Sequence, residues 1–205
     1  MPGWENLDKS PNVYLSRAPR ARSLLHRAGI LSAEQARYVF PRGAIHADVT
    51  NGLEYPDESA AFVYSSHMIE HMARWRALEL LRECARVLRP GATIRLATPD
   101  LAEWVEDYRA RDTSSGPTPA DTFVARLGIY SELPGTLVQR FVRRNMSGAI
   151  HEWLYDFESL AYLLGEAGFV DVTRRAFREG TVPDLDRLEH HRGGLHVEAM
   201  RPSAL

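Results

Sequence analysis

Apolar positions recur along this chain in two rhythms, and the sharper pattern lies between Ala44 and Asp100. Ala61, Phe62, Val63 and Tyr64 form a short β-prone run. From Ala73 to Arg89 the apolar residues Trp75, Leu78, Leu81, Ala85 and Leu88 return at helical spacing. Pro90-Gly91 is expected to stop that helix, and Thr93 to Ala97 reads as a second strand ended by Thr98-Pro99. A strand, an amphipathic helix and a strand in this order predict a parallel β-α-β unit of a doubly wound sheet.

Upstream, Trp4 to Leu7 and Ala44 to Ala47 each read as the end of a strand capped by an aspartate, Asp8 and Asp48. The stretch between them, about residues 10–43, is helical in flavour. Arg20 to Ala28 and Ser32 to Phe40 carry the pattern, and Ser32 with Gln35 resembles a capping box. Downstream, Asp112 to Pro119 is a loop by composition, and Ala120 to Ala149 is helical but interrupted at Pro134-Gly135. Residues 112–155 are therefore expected to form a lid inserted over a sheet edge. Asp156 to Ala167 is amphipathic and Gly168 suits a C-cap. Phe169 to Phe177 and Leu195 to Met200 read as strands paired in a long-looped hairpin.

Length and composition narrow the class. The 205 residues suit one α/β domain over 1–205, with 25 basic against 27 acidic side chains. That balance speaks against a general nucleic-acid binder. Neither a signal-peptide pattern nor a long apolar run appears, so a cytoplasmic chain without a membrane segment is expected. Cys84 is the single cysteine; an intramolecular disulfide is excluded, and Cys84 is expected in the core.

Three further motifs carry a family resemblance. Leu53-Glu54-Tyr55-Pro56-Asp57-Glu58-Ser59 is followed by Val63-Tyr64-Ser65-Ser66-His67-Met68-Ile69-Glu70-His71. Leu80 through Gly91 completes the series. Together they resemble the type 11 class I S-adenosylmethionine-dependent methyltransferases. A late His-x-x-x-Tyr-Asp-Phe-Glu stretch, His151 to Glu158, and Gly165 to Phe169 resemble a bacterial subgroup of them. The resemblance implies a Rossmann-like, mostly parallel sheet with a C-terminal antiparallel hairpin and a helical lid insertion. It implies S-adenosylmethionine as cofactor. Family members open with a strand running into a Gly-x-Gly loop, whereas Pro2-Gly3-Trp4 matches the family's entry to its second strand. The first strand, central in that sheet, is thus expected upstream of Met1.

The chemistry of the residues agrees with this family. Ligands of open parallel sheets sit beyond the carboxyl ends of the strands, where a terminal carboxylate can accept hydrogen bonds from ribose hydroxyls. Asp8 is placed for that role. By resemblance Asp48 accepts from the adenine amino group and Val49 packs on the ring, with Ser66 completing the cofactor set. The structural alternative for both aspartates is a turn-forming role after a strand. His67, at the tip of a strand, and His151, which begins the late motif, are the two candidate bases. Trp153, Tyr155 and Phe157 either line a substrate pocket or pack the lid. Arg140, Arg143 and Arg144 form either an anion-binding group or a solvated helix face. His67-x-x-Glu70-His71 also fits an inverted zinc-protease pattern, but His67 directly follows a β-prone run and should lie outside the helix. No metal site is expected, and His190-His191 is given no role. The leading expectation is methyl transfer to a hydroxyl or amine of a small molecule. The alternative is a non-catalytic, methyltransferase-like binding or partner subunit that has lost the cofactor loop. A nicotinamide-dependent oxidoreductase ranks last, because no dinucleotide fingerprint is present.

Overall fold

In the computed structural model the described residues are 3–37, 39–40, 43–110, 117–128 and 150–203. They fall into two compact units, one holding the chain up to Asn51 together with Ile150, the other running from Gly52 with His151 onward.

The first unit is a small α/β element. Strand β1 (Asn6–Asp8) pairs in parallel with β2 (Ala44–His46), placing Asp8 opposite His46. Helices α1 (Asn12–Leu15), α2 (Pro19–Arg27) and α3 (Ala33–Arg37) fill the crossover between them. Among the described residues the helical reading of residues 10–43 thus resolves into three short helices. Pro19 opens α2, where its missing N–H is not needed, and Gly29 follows the helix at φ 70. The Arg17 guanidinium donates to the Ala44 carbonyl at 2.7 Å, tying the crossover to β2.

The second unit carries the main sheet, in the order β3 (Ala60–Ser66), β4 (Leu88–Thr98), β6 (Leu195–Met200), β5 (Val170–Arg175). β3 and β4 are parallel, and β6 is antiparallel to both neighbours, so β5 and β6 form the expected hairpin. Among the described residues β3 pairs only with β4, and β1 only with β2.

Helix α4 (Arg74–Val87) makes the β3-to-β4 crossover and buries Ala77, Leu80, Leu81, Cys84 and Val87. Of the apolar series read from the sequence only Leu81 and Leu88 are buried, Leu78 and Ala85 are half-buried and Trp75 is exposed, so the inward face is rotated from the expected one. Burial pushes the Cys84 thiol up to about 12, which keeps it an inert core group. Pro90-Gly91 does not end this helix. The chain turns extended at Leu88, and Pro90-Gly91 lies inside β4 as a bulge between the Ala60–Leu88 and Phe62–Thr93 pairs. The residue before a proline avoids the helical region, so Arg89 had to be extended already. Helix α5 (Leu101–Ala110) follows β4, and α6 (Pro119–Leu127) opens on a capping box between Thr118 and Asp121. Helix α7 (Phe157–Glu166) starts where Asp156 accepts from the Ser159 N–H at 2.8 Å. It buries Leu160, Leu163 and Leu164, touching α4 and β5. A last short helix, α8, spans Leu185–Leu188.

Candidate active site

The carboxyl ends of the parallel strands are where the sequence places its chemistry. In the first unit, Asp8 closes β1 and Asp48 follows β2 by two residues, so both lie at the same end of the pair. Asp8 is half-buried and its Oδ1 accepts from the Ser10 N–H at 2.6 Å. Asp48 is exposed; its Oδ1 accepts from the Thr50 N–H at 3.1 Å and hydroxyl at 2.7 Å. Val49 begins a 3-10 turn, Val49–Asn51. Local turn bonds thus hold both carboxylates in place, and one oxygen of each is used in them.

In the second unit Ser66 ends β3 and His67 follows. Its N–H still donates to the Ala97 carbonyl at 2.8 Å, extending the ladder by one residue. Its φ is 48, an uncommon value for any residue but glycine. Such backbone conformations persist where neighbouring contacts impose them. Here the contact is with Glu70, whose Oε1 lies 3.1 Å from His67 Nδ1. Glu70 is fully buried, while the His67 side chain is about a third exposed. The Thr98 hydroxyl, at the end of β4, donates to the second Glu70 oxygen at 3.3 Å. A neutral His67 donating from Nδ1 leaves Nε2 as an acceptor, oriented by a carboxylate that water does not reach.

Glu70 and His71 lie in a 3-10 turn, Ile69–His71, that precedes α4. Met72 is extended and separates the turn from the helix. This turn receives the chain returning from the insertion. The Glu70 carbonyl accepts from the Glu152 and Trp153 N–H groups at 2.8 and 3.2 Å. His151 consequently stacks on His71 with ring centroids 4.9 Å apart, and the Trp104 ring lies 5.6 Å from it. Its Nδ1 meets the Arg126 carbonyl at 2.9 Å. Burial, and then His71, lower the pKa of His151, favouring the neutral ring. Tyr155 is wholly buried and packs, whereas Trp153 is exposed. Within the expected lid, residues 112–116 and 129–149, Arg140, Arg143 and Arg144 among them, lie outside the described residues.

One participant was invisible to sequence reasoning. His191 stands edge-on to His67 at 5.0 Å. Its loop follows Glu189, which is buried and bound at 2.7 Å to the buried Arg95 of β4. Arg95 also reaches Glu198 and the carbonyls of Ala176 and Glu179, so the segment preceding β6 is clamped onto the sheet. The sequence signal was a charged residue in a run that must be a central strand, for such a residue needs partners nearby.

A β-α-β crossover with its charged and hydrogen-bonding groups at the carboxyl ends, closed by an antiparallel hairpin, defines a Rossmann-like α/β domain. Residues 21–96, from α2 through most of β4, match the family model described as "Methyltransferase domain", which bears out the resemblance over that stretch. Among solved structures, the complex between the Haloferax volcanii Trm112 methyltransferase activator and a methyltransferase matches 98% of this chain and 72% of the other. Identity is 16% and the TM-score 0.50, a likeness of fold. A methyltransferase from Archaeoglobus fulgidus, described as dependent on S-adenosylmethionine, matches 96% of this chain and 84% of its own at 15% identity and TM-score 0.48. A Bordetella parapertussis structure described as that of a possible exported protein matches at 18% identity and TM-score 0.47. The match covers 97% of this chain and 53% of that one, so the chain spans about half of that relative's length. No curated protein matches the sequence. Among the described residues no helix is long and apolar enough to cross a membrane.

Proposed function

We propose that this protein binds S-adenosylmethionine and transfers its methyl group to a hydroxyl or amine of a small molecule. The observation that carries the reading is the His67–Glu70 dyad at the carboxyl end of β3, the part of a Rossmann-like sheet where ligands bind. The cofactor, when bound, supplies an electrophilic methyl group on a sulfonium. Asp8 and Asp48 suit its adenosine portion, because a strand-end carboxylate accepts from ribose hydroxyls and from an exocyclic amine; Val49 offers an apolar face beside Asp48, and Ser66 a hydroxyl. His67 Nε2 takes the proton that the acceptor loses as the new bond to carbon forms. Glu70 holds the imidazole in the tautomer that can do this and stabilises it once protonated. His151 is the second candidate base.

The test is calorimetry of the full-length protein with S-adenosylmethionine and, separately, with NADH, followed by turnover against a panel of small hydroxyl and amine acceptors. Asp8→Ala and Asp48→Ala should each weaken cofactor binding by about 1–3 kcal/mol. His67→Ala should lower turnover and spare cofactor affinity, because proton removal counts only in the transition state. Unchanged affinity after loss of both aspartates would overturn the cofactor assignment; binding of NADH alone would replace the function.

A further inference from the structure

Beside the dyad, and sharing Glu70 with it, stands a second constellation that includes His71 and His151. Glu70, His71 and His151 each direct one ligating atom into a common space, and these atoms all lie within 4.8 Å of one another. We propose that these three residues form a binding site for a divalent transition metal of the zinc class. The sequence pattern suggested a different pair, His67 with His71, and on that pattern no metal was expected. The structure instead keeps His67 on Glu70 and brings in His151 from 80 residues downstream.

Three features favour a metal. The first is the donor set: two imidazoles and one carboxylate are the ligands of one class of catalytic zinc site, which leaves a fourth position for water or a substrate oxygen. The second is orientation. His151 is anchored through Nδ1 on the Arg126 carbonyl, which fixes the tautomer and leaves Nε2 with its lone pair, the usual outer contact of a metal-bound histidine. The third is charge. Glu70 is fully buried, and among the described residues its one ion-pair partner is His67, with no arginine or lysine within pairing distance. A buried carboxylate in that position gains from a cation. Zinc bonds of about 2.0–2.1 Å place tetrahedral ligands about 3.4 Å apart, so the three atoms must close by up to about 1.4 Å. His71 and His151, both only partly buried, can make that adjustment by side-chain rotation. One Glu70 oxygen then serves the metal while the other keeps His67.

The experiment is a Co2+ titration of the metal-stripped full chain, read by visible ligand-field absorption and by equilibrium dialysis, with Zn2+ as competitor. The expected result is one equivalent per chain, displaced by Zn2+, with affinity reduced about tenfold or more in His71→Ala and in His151→Ala. His191→Ala should bind as the parent does. Glu70→Gln should also lose the site; should that buried substitution prevent folding, seen by circular dichroism, the two histidine variants decide alone. Absence of saturable uptake, or equal affinity in the parent, His71→Ala and His151→Ala, overturns the proposal. S-adenosylmethionine binding measured on the same samples separates the two readings. Metal uptake without cofactor binding keeps the site and sinks methyl transfer, and cofactor binding without metal uptake does the reverse.

Discussion

Replacing Arg95 by methionine should be among the most damaging single changes to the second unit. The guanidinium is fully buried in β4, 2.7 Å from Glu189 and 3.5 Å from Glu198, and it donates to the carbonyls of Glu179 and Ala176 at 2.6 and 3.0 Å. Methionine fills much of the volume but removes the shared cation from two carboxylates that are 1% and 3% exposed; Glu198 keeps Arg175 at 3.2 Å, so the stranded charge is chiefly that of Glu189. Breaking a buried ion pair from one side costs about 3–5 kcal/mol, against the roughly 5–15 kcal/mol that keeps a typical domain folded. At urea slopes of about 1–3 kcal/mol per molar, the unfolding midpoint should fall by about 1 M or more. Because the penalty comes from stranded charge, neutralising the partners should return part of it. Glu189→Gln and Glu198→Gln in the Arg95→Met background should show favourable couplings of about 0.5–3 kcal/mol, while their amides keep oxygens for the Arg178, Thr181 and Val182 N–H groups. Urea unfolding of the parent, the three single variants and the two double variants, followed by circular dichroism, gives both quantities. A loss under about 1 kcal/mol for Arg95→Met, or strictly additive effects, would refute a charge-based account of this network.

Two further expectations concern the same face. His196 is buried beside Phe177, with Nδ1 3.2 Å from Glu189 Oε1 but outside hydrogen-bonding geometry. Burial lowers its pKa below 6.5 despite the opposing pull of Glu189, while Arg95 and His67 add to the lowering. The unfolded chain therefore binds this proton more readily, and stability present above about pH 6.5 should decline as the pH falls toward the folded-state value; His196→Asn should flatten that decline in urea titrations across the range. Gly194 has φ 96, and a Cβ there would sit 2.7 Å from the Thr98 carbonyl oxygen, so Gly194→Ala should cost about 2 kcal/mol in thermal or urea unfolding. Gly165→Ala, in α7 with nothing within 4 Å, should instead gain about 0.5–1 kcal/mol, and equal effects at the two sites would contradict the assignment.

Local periodicity made much of the fold legible. The strand around Phe62, the helix carrying Leu81 and Cys84, the α7 stripe and the closing hairpin all follow from residues a few positions apart. The strand-end placement of Asp8 and Asp48 was legible too, since each stands where a short β-prone segment gives way to a turn. What periodicity cannot register is a strand that starts before its proline, as β4 does at Leu88, because a bulge lets Pro90-Gly91 bow out of the ladder. Nor can it see why Glu70 is buried or why His191 arrives at His67. Those outcomes depend on hydrogen bonds from Glu152 and Trp153 and on the Arg95–Glu189 pair, which join positions about 80 and 94 residues apart in sequence.

The hydrogen bond from the His151 N–H to the Leu127 carbonyl, at 3.0 Å, pins together the two ends of the segment between them. The stem is held by folded structure on both sides, by the capped α6 and by the Glu70 carbonyl. The backbone of His151 is therefore placed by α6 on one side and by the Ile69–His71 turn on the other, so a change that loosens either anchor should move this histidine without touching its side chain.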